Sequence, residues 1–338
     1  MFGKWMNNYY YGKSGKGDYT KEDLPKTRWQ LFLEMLRVRL AGLSRLNLMT
    51  VAAWLPLIIL IGYCVTTVFN GLAIAGQYAE YLASGDMGQL TAEQIETLSG
   101  IESIDAVMAD VLRGQIWTLC LWAIPCIAIT GPVKAGAAYV TRNWSRDEHA
   151  FLWADFRDAV KENWKQGLGV SLISSVLPLV IYVGYQFYGG QAAANALFLV
   201  PQMLIVMLGV VWALGCTFMY PMMVSYRVTF GQLIKNSLMI AVGRLPQTVG
   251  VRLLLLVPAL IAGAVFWLTG SLLPLLILAC YYIVLGFALS RFIIASYTNA
   301  VFDKYINSHM EGVQVNRGLA EPEDDEDEEE AEEDTRQE

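Results

Sequence analysis

The stretch ITGPVKAGAAYVTRNW, residues 129–144, breaks an apolar run with a Gly-Pro pair and then a lysine. A membrane-crossing helix needs about 20 mostly apolar residues, at 1.5 Å rise each, to traverse about 30 Å of hydrocarbon. Counted from Gly114, that length ends at Val133, so Lys134 falls at headgroup level. There its stem lies along apolar surface while the ammonium reaches water. Pro132 lacks an amide hydrogen and clashes with the carbonyl four residues earlier, which predicts a bend. Gly131, Ala135 and Gly136 offer a neighbouring helix a close approach across it. The stretch therefore reads as the kinked inner end of a transmembrane helix.

The rest of the chain bears the same stamp. Hydrophobic residues make up 55 % of the 338, and charged ones 16 %, against roughly 25 % charged in soluble domains. Apolar runs predict spans at about 48–69, 114–133, 167–188, 196–221, 249–268 and 271–290. The expected fold is an all-α integral membrane protein with six transmembrane helices, its membrane domain covering 28–310. Residues 1–27, rich in Gly, Tyr and Lys, show no signal-peptide core, so the first span is expected to serve as insertion signal and anchor. The acidic balance comes from the C-terminus: 13 of the 31 acids lie in residues 321–338 with one Arg, leaving 23 basic against 18 acidic residues elsewhere. Residues 311–338 read as a disordered acidic tail. Cys64, Cys120, Cys126, Cys216 and Cys280 all fall in apolar runs, without metal-type spacing, and read as small hydrophobes.

Charge sets the orientation. Residues 1–45 hold nine Lys and Arg, whereas 71–113 hold seven acids and a single Arg. Basic residues return between spans two and three (Arg142, Arg146, Arg157, Lys161, Lys165) and between four and five (Arg227, Lys235, Arg244). The positive-inside rule then places both termini in the cytoplasm and the 71–113 loop outside. Within that loop, 91–112 reads as a short amphipathic helix capping the outer face. Arg252, about one turn into the fifth span, and Arg291, at the end of the sixth, match the depth of Lys134. The three are candidate inner-face contacts for an anion or lipid headgroup; independent snorkelling of each is the plainer reading.

An internal repeat is also expected. LPLIILIGY (55–63) and LPLVIYVGY (177–185) agree at six of nine positions. Cytoplasmic amphipathic stretches at about 28–45, 148–165 and 227–245 precede the odd-numbered spans. In the second, Leu152, Phe156, Val160 and Trp164 recur every four residues on one face. Such helices lie in the membrane interface or pack on the spans from inside. The architecture implied is three units, each an interfacial helix followed by a transmembrane hairpin.

Catalytic signatures are sparse. No Asp or Glu falls within the apolar core of a span, which disfavours ion-coupled transport. His149 and His309 lie far apart outside the spans, with no HExxH, no P-loop and no nucleophile elbow nearby. Nucleic-acid binding finds no support, because the basic residues follow membrane boundaries. No cofactor and no metal is expected. Polar residues able to line a path are Thr66, Ser171, Ser174, Ser175, Gln202 and Thr217, although Ser and Thr in spans commonly bond their own helix.

The segment GPVKAGAAYVTRNWSRDEHAFLWADFRDAVKENWKQ, residues 131–166, carries a family resemblance through its Gly-Pro, Tyr139, Arg142-Asn143-Trp144 and the DFRDAVKENWKQ helix. With the lead-in of residues 9–40, it resembles the YesL-like bacterial membrane proteins, a family defined by a domain of unknown function; the likeness covers about 28–301. The resemblance implies a bacterial cytoplasmic membrane and, from genomic neighbours, a link to carbohydrate ABC importers. The expectation is a non-enzymatic accessory or assembly subunit for such uptake, with membrane lipid and an ABC permease as partners. An uncoupled channel or carrier formed by the hairpins is the alternative, and an enzyme acting on a lipid-linked glycan is least favoured.

Overall fold

The computed structural model describes residues 24–85, 90–99 and 104–320, and every regular element among them is helical. Thr27 and Gln30 open helix α1 (Arg28–Ser84) with a reciprocal capping box, and Gly85, at φ 74°, closes it. Short α2 (Ala92–Ser99) leads to α3 (Ile104–Ala128) and α4 (Thr130–Trp144). Next come α5 (Leu152–Ala192) and α6 (Leu199–Ser225). Helices α7 (Phe230–Gly243) and α8 (Leu245–Thr269) follow. The last span is α9 (Leu273–Tyr281), a π-helical turn (Tyr282–Gly286) and α10 (Phe287–Tyr305). Six helical stretches are long and apolar enough to cross a membrane: Arg28–Ser84, Met108–Ala128, Leu152–Ala192, Ala196–Ser225, Leu245–Thr269 and Leu273–His309. The chain is thus a multi-pass membrane protein by length and composition.

Two of the expected amphipathic helices are not separate elements. Residues 28–45 are the base of a 57-residue α1, and residues 152–165 are the base of a 41-residue α5. Neither junction contains a proline, and the glycines there, Gly42 and Gly167, keep helical backbone, so the hydrogen-bond ladder runs through. Only the third stretch ends on its own, at Arg244, just before Pro246.

The buried core sits at the end of the bundle that carries the basic segments. One cluster centres on Phe218, Met219, Met222, Leu233 and Phe302. The other centres on Leu43, Leu46, Val140, Phe156 and Phe292. Toward the opposite end the apolar side chains stand exposed, as at Ile59, Leu260 and Trp267, which is the pattern of helices bathed in lipid. Near Leu90, α2 packs beside Tyr78 of α1.

Buried polar groups pin the core. Asn47, fully buried, donates to the carbonyls of Tyr282 and Ile283 at 2.9 and 2.7 Å and accepts from the Ala288 amide at 2.8 Å. Those backbone groups belong to the π turn and its exit, where the regular ladder is interrupted. Asn299 ties α10 to the end of α4 through Arg142 O and Ser145 Oγ. Residues 310–320 fold back on the same end: Ala320 N bonds Pro25 O, and Arg146 reaches Gln314 O. The segments 1–23 and 321–338, including the acidic run, lie outside the described residues.

A cationic cavity between the helices

The crossing of α4 and α5 positions the site. A Cβ at Gly131 would overlap the carbonyl oxygen of Gly167 and the hydroxyl of Ser171, so only glycine lets these backbones meet. Pro132 deprives the Ala128 carbonyl of its helical partner. Ser171 Oγ donates to that carbonyl at 2.7 Å. The chain breaks at Ile129 and restarts as α4. Gly136 meets Val160 and Phe156 just as closely: a Cβ there would lie 2.6 Å from Val160 Cγ2. The kink turns Lys134 toward the bundle interior, where its Nζ lies 4.7 Å from the Trp54 ring centre and 5.9 Å from that of Tyr220.

Two further cations arrive from other helices. The Arg291 guanidinium stands 5.2 Å from the centre of the same Tyr220 ring. Arg252 is clamped to α6, donating from Nε to Thr217 Oγ1 at 2.8 Å and from Nη2 to Ala213 O at 2.7 Å. Lys134, Arg252 and Arg291 line one cavity of about 490 Å³, and no carboxylate lines it. Among the described residues, neither Lys134 nor Arg291 forms an ion pair. The hydroxyl of Tyr220, only 3 % exposed, lies beside Ser171, whose own proton goes to the Ala128 carbonyl. Trp212 donates to Ser174 Oγ at 2.9 Å on the cavity wall. Above the cations the walls turn apolar at Leu177, Ile181 and Leu255.

The basic end outside the cavity behaves differently. Arg146 pairs with Glu148 at 3.2 Å, Arg317 pairs with the same carboxylate at 3.5 Å, and Arg28 pairs with buried Asp303. Asn307 donates to Asp303 at 2.6 Å and accepts from the Tyr226 hydroxyl at 2.7 Å. Burial, opposed by nearby Arg142, pushes that phenol up to about 12, so it remains a donor at neutral pH. Carboxylates thus stand among the cations at that end, with Glu148 shared by Arg142, Arg146 and Arg317, whereas none stands in the cavity. Desolvating an ion costs several kcal/mol unless a counter-charge repays it, and the lining of this cavity brings three basic side chains together with no carboxylate to do so.

The other sequence candidates have structural places. Leu152, Phe156 and Val160 pack on the core cluster around Val140, whereas Trp164 is exposed. Trp144 is buried and lies against Gly42; Tyr139 is half-buried and does not line the cavity. Thr66, Ser171, Ser174, Ser175 and Gln202 each donate to backbone carbonyls. Thr217 instead accepts from Arg252. Sequence reasoning missed Tyr220, Trp54 and Asn47. An aromatic one residue before Pro221 gives no local sign that two cations will flank it. No cluster of metal-ligating side chains exists among the described residues.

Residues 115–185 match the profile of a family described as "Protein of unknown function, DUF624". That segment runs from α3 into α5 and includes Gly131, Pro132, Lys134 and Ser171, but neither Arg252 nor Arg291. No curated protein and no solved structure matches the chain.

Proposed function

We propose that this chain is a YesL-like protein of the bacterial cytoplasmic membrane that binds an anionic group in its central cavity, without enzymatic chemistry. In this reading both termini are cytoplasmic, the six helices form three hairpin units, and the protein acts as an accessory or assembly subunit for carbohydrate ABC-type uptake. The anion-binding part is carried by one observation: Lys134, Arg252 and Arg291, from three different helices, face a cavity that holds no carboxylate. The distribution of Lys and Arg between alternating connections supports the orientation. The exposed apolar faces of α8 and α9 supply surface for a membrane partner.

Affinity purification from native membranes in mild detergent tests the accessory role. The expected result is co-purification of a permease or a solute-binding component, and recovery of the bare chain would count against it. A second reading, an uncoupled carrier, is favoured by the cavity lying open between the hairpins instead of being packed. Solute flux into proteoliposomes containing this protein alone would support the carrier and displace the accessory role.

A further inference from the structure

The chemistry of the bound anion follows from what surrounds the three cations, and rests on reading the cavity as an anion site. Charge comes first. Three basic side chains share a desolvated site with no carboxylate, and a phosphomonoester carries roughly −1.5 to −2 at neutral pH and offers three strong acceptor oxygens, more than a carboxylate does. Arg291 has no hydrogen-bond partner among the described residues, so its planar fork is free for two oxygens of one phosphoryl group. Arg252 is held by Thr217 and the Ala213 carbonyl, a clamp that orients a cation before any ligand arrives. Tyr220 adds a further polar side chain to the cavity wall.

The walls decide the rest of the ligand. From the cations the cavity continues along Leu177, Pro178, Ile181, Gly209 and Leu255. Above it the α8–α9 hairpin is nearly detached. It buries Thr248 and Ala262 on α8 and no residue on α9, and it touches α6 only sparsely. An apolar cleft open within a bilayer takes up hydrocarbon, since nothing in it hydrogen-bonds water. An amphiphile places its chain against those walls, whereas a free anion makes no use of them. The volume, about 490 Å³, lies within the range of sites for drug-sized ligands and accommodates a headgroup with the first part of a chain.

We propose that the cavity binds an amphiphile with a phosphomonoester or diphosphate head, its phosphoryl oxygens on Lys134, Arg252 and Arg291 and its hydrocarbon chain in the cleft between α5–α6 and α8–α9. The same phosphoryl chemistry has a water-soluble source, free phosphate, and the test separates the two. Full-length protein in nanodiscs of phosphatidylcholine is doped with phosphatidic acid of identical chains, and retained lipid is read by native mass spectrometry. Inorganic phosphate is supplied in a parallel arm. The expected result is preferential retention of phosphatidic acid, weakened about tenfold or more in Arg291→Met, the scale of a lost charge-assisted hydrogen bond. Arg291→Lys, which keeps the charge and reports on folding, retains more than Arg291→Met. Leu255→Trp, which fills the apolar wall, also weakens retention. If inorganic phosphate binds and displaces the lipid, or if Leu255→Trp has no effect, the amphiphile is overturned while the anion site stands. If neither lipid nor phosphate binds a monodisperse protein, both readings fall.

Discussion

Asn47 shows how one side chain stabilises a distortion. The π turn at Tyr282–Gly286 frees backbone groups inside the protein, where each unsatisfied one costs about 1–3 kcal/mol. Asn47 answers three of them, and the turn in turn leads into Phe287, stacked on Trp54 at 5.2 Å, and Arg291. Asn47→Ala is expected to destabilise the protein by about 2–4 kcal/mol. It should also loosen Arg291 from Tyr220. Thermal unfolding in detergent, with intrinsic tryptophan fluorescence as a second readout, checks both; an unchanged midpoint would remove the role given to this residue. Tyr220 works at the same scale. Its ring centre lies 5.9 Å from Lys134 and 5.2 Å from Arg291, an attraction worth about 0.5–2 kcal/mol for each cation, enough to orient the cations but not to neutralise them.

Among the elements, α4 is the one whose geometry makes the cavity. Its crossing with α5 depends on paired glycines and on Ser171 accepting the role that Pro132 removes from the ladder. Gly131→Ala is expected to push the two helices apart, with an overpacking cost of about 1–3 kcal/mol. Because Lys134 lies three residues on, the same change should displace its ammonium from Trp54. A loss of thermal stability together with weaker retention of phosphatidic acid is the expected pair of results; full stability would show that the close approach is not needed. The proline-and-glycine signal for this crossing was plain in the sequence, since Gly131, Pro132 and Gly136 mark a bend and a close contact by themselves. The partner of the bend was not, because Gly167 and Ser171 are distant in the chain and ordinary in their local context. The long helices show the reverse. Local periodicity separated residues 28–45 and 148–165 from the spans, yet no proline stands between them, Gly167 keeps helical backbone, and each helix runs on from 28 and from 152 into its span.

For the whole molecule, the concentration of buried side chains and ion pairs at one end and of lipid-exposed apolar side chains at the other sets a polarity along the bundle. The proposed orientation places the Arg28, Arg142, Arg146 and Asp303 end in the cytoplasm. Single cysteines at Asp110 and Asp158, in a background without native cysteines, are expected to react with a membrane-impermeant maleimide from opposite sides. Labelling of both from one side would reverse the reading of every connection. With this polarity the three cations enter from the inner half of the bilayer, where Lys134 was placed by counting alone.

The class of the protein was written in local chemistry: span length, the alternation of basic connections with ones poor in Lys and Arg, and the Gly-Pro break are all properties of neighbouring residues. So was the shared depth of Lys134, Arg252 and Arg291, which follows from counting along separate helices. Their meeting in one cavity was decided only by tertiary structure. Depth fixes a position along the membrane normal but says nothing about rotation around it, and rotation depends on which helices pack together. The Gly131–Gly167 contact, the Asn47 clasp on the π turn and the Arg252 clamp on Thr217 set those rotations, and each joins residues too far apart in the chain for local pattern to connect them.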